Sequence, residues 1–541
     1  MNLPKPKIIL IIIVILAAFL RFYQLGNNPP SLTWDEVAWG YNAYSLGIDG
    51  RDEFGRFLPF NYLESFGDFK PPMYAYLDII PIKIFGLNEF AVRFPSALFG
   101  LLTVLITYFL TKRIFFDSKS KELYALFSAL FLAISPWHIM LSRAAFEANI
   151  ATFFLAGGIW LFLKGVQEKK WYLVISIIFF VFSIYTFNTA RIVVPILVLF
   201  LGILFRKKLI ENKKQTFVAV IVGVLLVLPI LGFLFSPQAS LRFREVNIFS
   251  DPKVIEIANQ EIANDDNTFW SKILHNRRFA YGVSYLRHYF DNFNPSFLFI
   301  KGDGNPKFST QDVGQMYLWD LPFFIIGIFL IFRKKEGNWW LVPVWLMVGI
   351  IPAATARETP HALRIEATLP TFQVLTAYGF SQFLFITKKM KHFKMLVAFL
   401  GFLLFANFFY FFRNYNVHYS YEFSGEWQYG YKDSIEYVKS VRNSYDKVYI
   451  TNELGRPYIY YLFYTKTDPR IFRERSSVRR DVFGFVTVDG FGEYQFLNST
   501  TQISNKGKNL FINTPKNVPP GAKELKKFYL KNNNISLVAY E

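Results

Sequence analysis

Long apolar runs, recurring from Ile8 to about Phe412, constrain this chain more than any other feature of its sequence. A helix crossing a bilayer needs about 20 mostly apolar residues, because it must satisfy its own backbone in lipid. Eleven segments meet that pattern, with limits near 7–24, 90–112, 122–140, 148–165, 171–187, 191–206, 216–236, 317–333, 338–356, 363–387 and 393–412. The first follows Lys5 and Lys7 and has the outline of a signal peptide, but no small-residue cleavage site comes after it. It reads as an uncleaved first helix extended through Arg21-Phe22-Tyr23.

Every second connection between these runs is basic. Lys112, Arg113, Lys119 and Lys121 mark one, and Lys164, Lys169 and Lys170 the next. Arg206 to Lys214, Arg333 to Lys335 and Lys388 to Lys394 mark the others. Clusters of this kind stay in the cytoplasm, which predicts a cytoplasmic N-terminus and an outward C-terminal segment. The net charge of +19 is thereby accounted for. No motif for reading bases accompanies it, so a nucleic-acid partner is not expected. The absence of cysteine removes disulfides, thiolate catalysis and iron–sulfur clusters.

Three long segments fall on the outer side: 25–89, 237–316 and 413–541. The first predicts an amphipathic helix over Thr33 to Leu46 and an interfacial one over Pro71 to Phe85. The second predicts helices over Lys253 to Asn264 and Asn267 to Phe290, then a turn at Gly302 to Asn305. In the third, strand-like runs (Lys447 to Thr451, Gly484 to Val488, Asn509 to Asn513, Ile535 to Tyr540) alternate with helix-like ones (Asp433 to Val441, Pro457 to Tyr464, Ala522 to Leu530). The expected architecture is a multi-pass α-helical membrane domain, 1–412, with a small extracytoplasmic α/β domain, 413–541.

The polar residues with chemical capacity sit at the outer ends of these runs. Thr33 and Glu36 have the spacing of a capping box, and Asp35 is not needed for it. Asp35 falls off the apolar face and is available as a general base. In Asp68-Phe69-Lys70-Pro71-Pro72, proline opens a helix, so Lys70 meets the positive end of a helix dipole. A bound phosphate between them makes that arrangement favourable; a lysine reaching to water is the bland alternative, at even weight. Thr359-Pro360-His361-Ala362-Leu363-Arg364 repeats the theme, with His361 and Arg364 predicted on one face of the tenth span. Pairing of Arg364 with Glu358 or Glu366 is the alternative. His138, Arg143 and Glu147 form a further group in which an Arg143–Glu147 pair is the favoured reading. Arg191, at the start of the sixth span, suits anchoring and binding equally. No phosphate loop, zinc-ligand helix or serine nucleophile motif is present.

Taken in order, these residues resemble the GT-C glycosyltransferases, in the branch of the protein O-mannosyltransferases and the aminoarabinose transferases of lipid A. The resemblance rests on Thr33-Trp34-Asp35-Glu36, Phe69-Lys70-Pro71-Pro72 and Arg93-Phe94-Pro95-Ser96-Ala97-Leu98-Phe99-Gly100. Ser135-Pro136-Trp137-His138, Ser142-Arg143 and Pro360 to Arg364 add to it. It covers roughly 1–412, most specifically 20–150. It implies a glycosyltransferase using a polyprenyl-phosphate sugar, with Asp35 (and Glu36) in catalysis and Lys70 near the carrier phosphate. Arg364, His361 and Arg143 are expected to help there, and inversion at the anomeric carbon to follow. In those relatives an acid directly precedes the lysine; here Phe69 intervenes and Asp68 stands one place further away. A divalent cation is left open, since no convincing ligand set is visible. The acceptor, whether lipid, glycan or protein, is not named by the sequence. A transporter, a polymerase or ligase of lipid-linked glycans, and a non-catalytic scaffold are the competing readings.

Overall fold

The computed structural model describes residues 6–236, 239, 247–480, 486–498, 503 and 506–541. Each of the eleven apolar segments holds a helix: Pro6–Phe22, Glu89–Ile114, Lys121–Ile134, Glu147–Gln167, Tyr172–Thr186, Ala190–Leu204, Lys213–Leu234, Asp320–Lys334, Leu341–Ile350, Thr371–Thr387 and Phe393–Arg413. By length and composition, Glu89–Ile114, Glu147–Gln167, Lys213–Leu234 and Phe393–Glu422 are each long and apolar enough to cross a membrane. Lys121–Ile134 and Pro136–Arg143 together make a fifth, bent by 56°. The bend falls at Ser135, which Pro136 biases away from helical geometry.

The chain divides into two compact units. The first comprises 1–21, 99–141 and 147–411. Its helices pack through small residues, as helices do where lipid supplies no hydrophobic drive. A Cβ on Gly379 would lie 1.9 Å from the Phe323 carbonyl oxygen, and one on Gly327 2.0 Å from that of Leu375. The backbones of Asp320–Lys334 and Thr371–Thr387 touch there. Beside this contact Phe131, Trp319, Phe323 and Phe380 interlock ring to ring. The apolar windows of Lys213–Leu234 and Phe393–Glu422 are only 11% and 6% buried, so nearly all their side chains face outward. Apolar surface on that scale demands a hydrocarbon solvent.

The second unit comprises 22–98, 142–146 and 412–541. Helix Trp34–Asp49 opens on Thr33 and ends at Gly50, whose φ of 72° carries the left-handed cap. Strands β1 (Leu63–Ser65) and β2 (Asp68–Lys70) form a hairpin around Phe66 and Gly67, at φ of 61° and 79°. Two left-handed residues in a two-residue loop match the strand twist. Helix Met73–Phe85 follows directly.

The C-terminal segment contributes β3 (Lys447–Thr451), β4 (Ser476–Arg480), β5 (Val486–Phe491), β6 (Tyr494–Leu497), β7 (Asn509–Asn513), β8 (Glu524–Tyr529) and β9 (Ile535–Tyr540). They lie in the order β4-β5-β6-β3-β7-β9-β8, with β3 parallel to both its neighbours. Helix Pro457–Thr465 is buried from Pro457 to Phe463 and packs against the first loop. Its Tyr460 hydroxyl donates to the Leu32 carbonyl at 3.0 Å. A Cβ on Gly40 would fall 2.8 Å from the Phe463 ring, so glycine permits the close approach.

Three sequence expectations require correction. The helix expected to begin at Pro360 begins at Thr371 instead, and His361 and Arg364 lie in irregular backbone. A second proline, Pro370, removes an N–H and restrains Leu369, so the helix starts only beyond it. The single helix expected over Asn267 to Phe290 is two, Phe269–Leu274 and Arg277–Asp291. Asn276 accepts the N–H groups of Arg278 and Phe279 and caps the second. Ala522 to Leu530, expected as a helix, contains β8, which pairs with β9 across a turn at Asn533. Its lysines suit an edge strand. The expected Gly484 to Val488 strand lies within β5 from Val486; residues 484 and 485 are outside the described set.

Candidate active site

The site builds from the Thr33 cap. Thr33 accepts the Glu36 N–H at 3.4 Å, and Glu36 Oε2 accepts the Thr33 N–H at 2.9 Å. This reciprocal cap fixes the first helical turn and with it Asp35. Lys70, the last residue of the β2 strand, ion-pairs through Nζ with Asp35 Oδ1. The two partners are unequal. The Lys70 side chain is 7% exposed and that of Asp35 50%. Lys70 Nζ lies 5.2 Å from the Trp39 ring and 5.1 Å from that of Phe66. A desolvated ammonium backed by aromatic faces thus sits behind an accessible carboxylate.

Glu36 has a different situation. It is fully buried, with Arg93 Nε at 2.9 Å from Oε1 and Arg93 Nη2 at 3.2 Å from Oε2. The Ala145 N–H donates to Oε1 at 2.9 Å. Arg93 also donates to the carbonyls of Leu25, Pro29 and Ser31. This saturated pair ties the loop start to the second apolar segment and leaves Glu36 little capacity for chemistry. Arg143 donates to the Asn28 carbonyl at 2.8 Å and lies 5.4 Å from the Tyr415 ring. Asp68 stands opposite Ser65 in the hairpin and, two residues from Lys70, on the same side of the strand.

Sequence reasoning missed Glu53. It is fully buried; its Oε1 accepts the Ser65 hydroxyl at 2.8 Å, and its N–H donates to Asn42 Oδ1 at 2.9 Å. Asn42 Nδ2 donates in turn to Ser65 Oγ at 3.2 Å. Burial pushes the Glu53 carboxyl up to about 8, against the hydrogen bond from Ser65 and the charge of Lys70. It is therefore mainly neutral at neutral pH. No periodicity announces it; only the adjacent acids Asp52-Glu53 in the outer loop do.

The remaining candidates belong to the first unit. His138 Nδ1 lies 2.6 Å from Arg21 Nη2, both groups fully buried. Glu147 opens its helix, where an acid meets the positive dipole end. Arg191 lies 5.5 Å over the Phe233 ring. His361 and Arg364 sit in the 356–370 connection rather than on a helix. Asp303, read from sequence as a turn residue, accepts the Ala362 N–H at 2.6 Å, and His361 Nδ1 lies 3.9 Å from it. Burial raises Asp303 to about 6 and, with Arg364, depresses His361 to about 3, so this histidine is neutral at pH 7. Arg364 Nη1 donates to the Glu358 carbonyl at 3.1 Å, so Glu358 is engaged through its backbone.

The first-loop donors do not suit a divalent cation. Asp35 is already neutralised by Lys70, and among the described residues no three His, Asp or Glu side chains converge.

Residues 69–233, less than a third of the chain, match the family model described as dolichyl-phosphate-mannose-protein mannosyltransferase. An Aquifex aeolicus protein without an assigned function is 31% identical over 237 residues, 43% of this chain and 44% of its own. The chain thus spans less than half the length of the curated relatives it matches. Among solved structures, ArnT from Cupriavidus metallidurans superposes with a TM-score of 0.54 at 12% identity, over 98% of this chain and 97% of its own. It has also been solved bound to undecaprenyl phosphate. The Archaeoglobus fulgidus oligosaccharyltransferase superposes with a TM-score of 0.51 at 15% identity, over 85% of this chain and 63% of its own. At such identities the likeness is one of fold.

Proposed function

We propose that the chain is a glycosyltransferase of the GT-C superfamily, a reading its matched segment and its fold support, and that it transfers a sugar from a polyprenyl-phosphate carrier to an acceptor hydroxyl on the outer face of the membrane. All eleven apolar helices span the bilayer in this reading, with basic connections and N-terminus inside and the 413–541 segment outside. The match to mannosyltransferases makes mannose the first sugar to test, and the lipid phosphate bound by ArnT supports the carrier class.

The observation that carries the proposal is the unequal Asp35–Lys70 pair. Asp35 takes the proton of the acceptor hydroxyl. That oxygen bonds to the anomeric carbon as the bond to the phosphate oxygen breaks, through an oxocarbenium-like transition state. The electron pair leaves on the lipid phosphate, and Lys70 stabilises the growing charge by a charge-assisted hydrogen bond. As Asp35 accepts its proton it releases Lys70, so the ammonium becomes available as the phosphate needs it. A single displacement inverts the anomeric centre. Glu36 acts as a positioning residue through Arg93, and the mechanism uses side chains of the second unit alone.

The test is transfer from a panel of radiolabelled polyprenyl-phosphate sugars, in membranes holding the wild-type chain or Lys70→Met. Removing such a charge costs about 10²–10³ in turnover. Lipid-donor-dependent transfer that falls on this scale, at equal expression, supports the reading. Undiminished transfer contradicts the role of Lys70.

A further inference from the structure

The outer segment 247–316 carries a helix pair whose exposed face the proposed transfer reaction does not use. Helix Arg277–Asp291 has two different sides. One is a tyrosine face, with Tyr285 donating to the Ile351 carbonyl at 3.4 Å and Tyr289 to that of Met347 at 2.8 Å. His288 Nδ1 donates to the Ala356 carbonyl at 2.8 Å, and Tyr281 to that of Asp251. This side seats the helix on the end of the apolar helix Leu341–Ile350 and the turns after it. The other side shows Phe279, Val283, Leu286 and Phe290, spaced four, three and four residues apart and 43–59% exposed. That spacing keeps them on one stripe. The preceding short helix adds Phe269 and Trp270, at 71% and 66% exposure.

A soluble loop does not leave such a stripe in water. Its cations say what covers it. From Asn267 to Phe290 the chain has Lys272, Arg277, Arg278 and Arg287, all exposed, and no Asp or Glu. An apolar stripe flanked by exposed cations, seated at the end of an apolar membrane helix, has the composition of an interfacial helix on anionic lipid.

We propose that residues 267–290 form a membrane-surface anchor, with the Phe279–Phe290 stripe sunk among acyl chains and Lys272, Arg277 and Arg278 on anionic lipid headgroups. The anchor holds the 247–316 segment against the bilayer. It does not depend on the identity of the reaction.

The absence of native cysteine allows a direct test. Single variants Val283→Cys and Leu286→Cys on the stripe, and Arg278→Cys and Arg287→Cys beside it, each take one nitroxide label. The full chain is reconstituted in nanodiscs of phosphatidylcholine, with or without phosphatidylglycerol. The stripe positions are expected to be more accessible to oxygen than to a water-soluble nickel chelate, and the arginine positions the reverse. Phosphatidylglycerol should strengthen the contrast, and Lys272→Glu/Arg277→Glu/Arg278→Glu should remove that gain. Equal nickel access on both sides would overturn the anchor. So would protection of the stripe from both reagents, which means a protein covers it. A contrast indifferent to phosphatidylglycerol would overturn the headgroup assignment. Quenching of Trp270 by brominated lipid, read as wild type minus Trp270→Phe, repeats the test without cysteine variants.

Discussion

Asp35 and Glu36 are neighbours in sequence with opposite fates, and burial decides which does what. Glu36 lies inside with Arg93; removing Arg93 leaves a buried carboxylate unpaired. Arg93→Met is expected to cost about 3–5 kcal/mol, visible as a loss of folded protein in detergent melts. Asp35 is half exposed beside Lys70, so its replacement should spare the fold. Glu53 supplies a pH prediction. Its folded pKa is raised from 4.5 to about 8, so the stability it contributes is complete below the ordinary carboxyl range and is lost as pH rises through about 8. Glu53→Gln keeps an acceptor for Ser65 without the titration. Melting temperatures of the wild type should fall more steeply than those of the variant between about pH 5 and about pH 8, and run parallel to them above that. The capping box and Lys70 were each legible in the sequence, because both are local patterns. Their convergence was not. It depends on a two-residue turn at Phe66-Gly67 that folds Lys70 back on Asp35, 35 positions away.

Elements follow the sequence wherever hydrophobic periodicity is long, and depart from it where single residues interrupt. Each apolar segment holds a helix, because a run of that length has few alternatives in lipid. The departures at Pro370, Asn276 and β8 each come from a stop signal or a strand partner that outweighs local spacing. Leu525 and Phe528 share a helical face by count, yet the β9 strand offers a ladder in which Phe528 pairs with Leu537 and Leu525 falls at a register shift. Packing between elements was legible only afterwards, through glycine. Gly379 sets the backbone contact with Phe323, so Gly379→Ala should force the helices apart. About 1–3 kcal/mol of destabilisation is expected, measured by thermal denaturation in detergent. Gly202, which meets nothing within 4 Å, is the matched control: Gly202→Ala should leave the melt unchanged or slightly raised.

For the whole molecule, the charge alternation makes a topology prediction. Lys119→Cys and Lys169→Cys should be labelled by a membrane-impermeant maleimide only after lysis, and Gly304→Cys and Lys439→Cys in intact cells. Labelling of all four from outside would dismantle the eleven-span account. The general architecture was legible because a bilayer permits few solutions; the division into units was not. The first outer loop clusters with the C-terminal segment, through contacts such as Tyr41 with Thr467 and Lys432 with Glu89 that no local pattern announces. The central claim is that the exposed carboxylate of Asp35 is the base for sugar transfer off a lipid phosphate. It is tested most directly by comparing wild type and Asp35→Asn, purified and equally folded, for transfer of radiolabelled sugar from the active polyprenyl-phosphate donor. The account predicts a loss of about 10²–10⁴ in turnover with donor binding retained. Transfer by Asp35→Asn at the wild-type rate would contradict it.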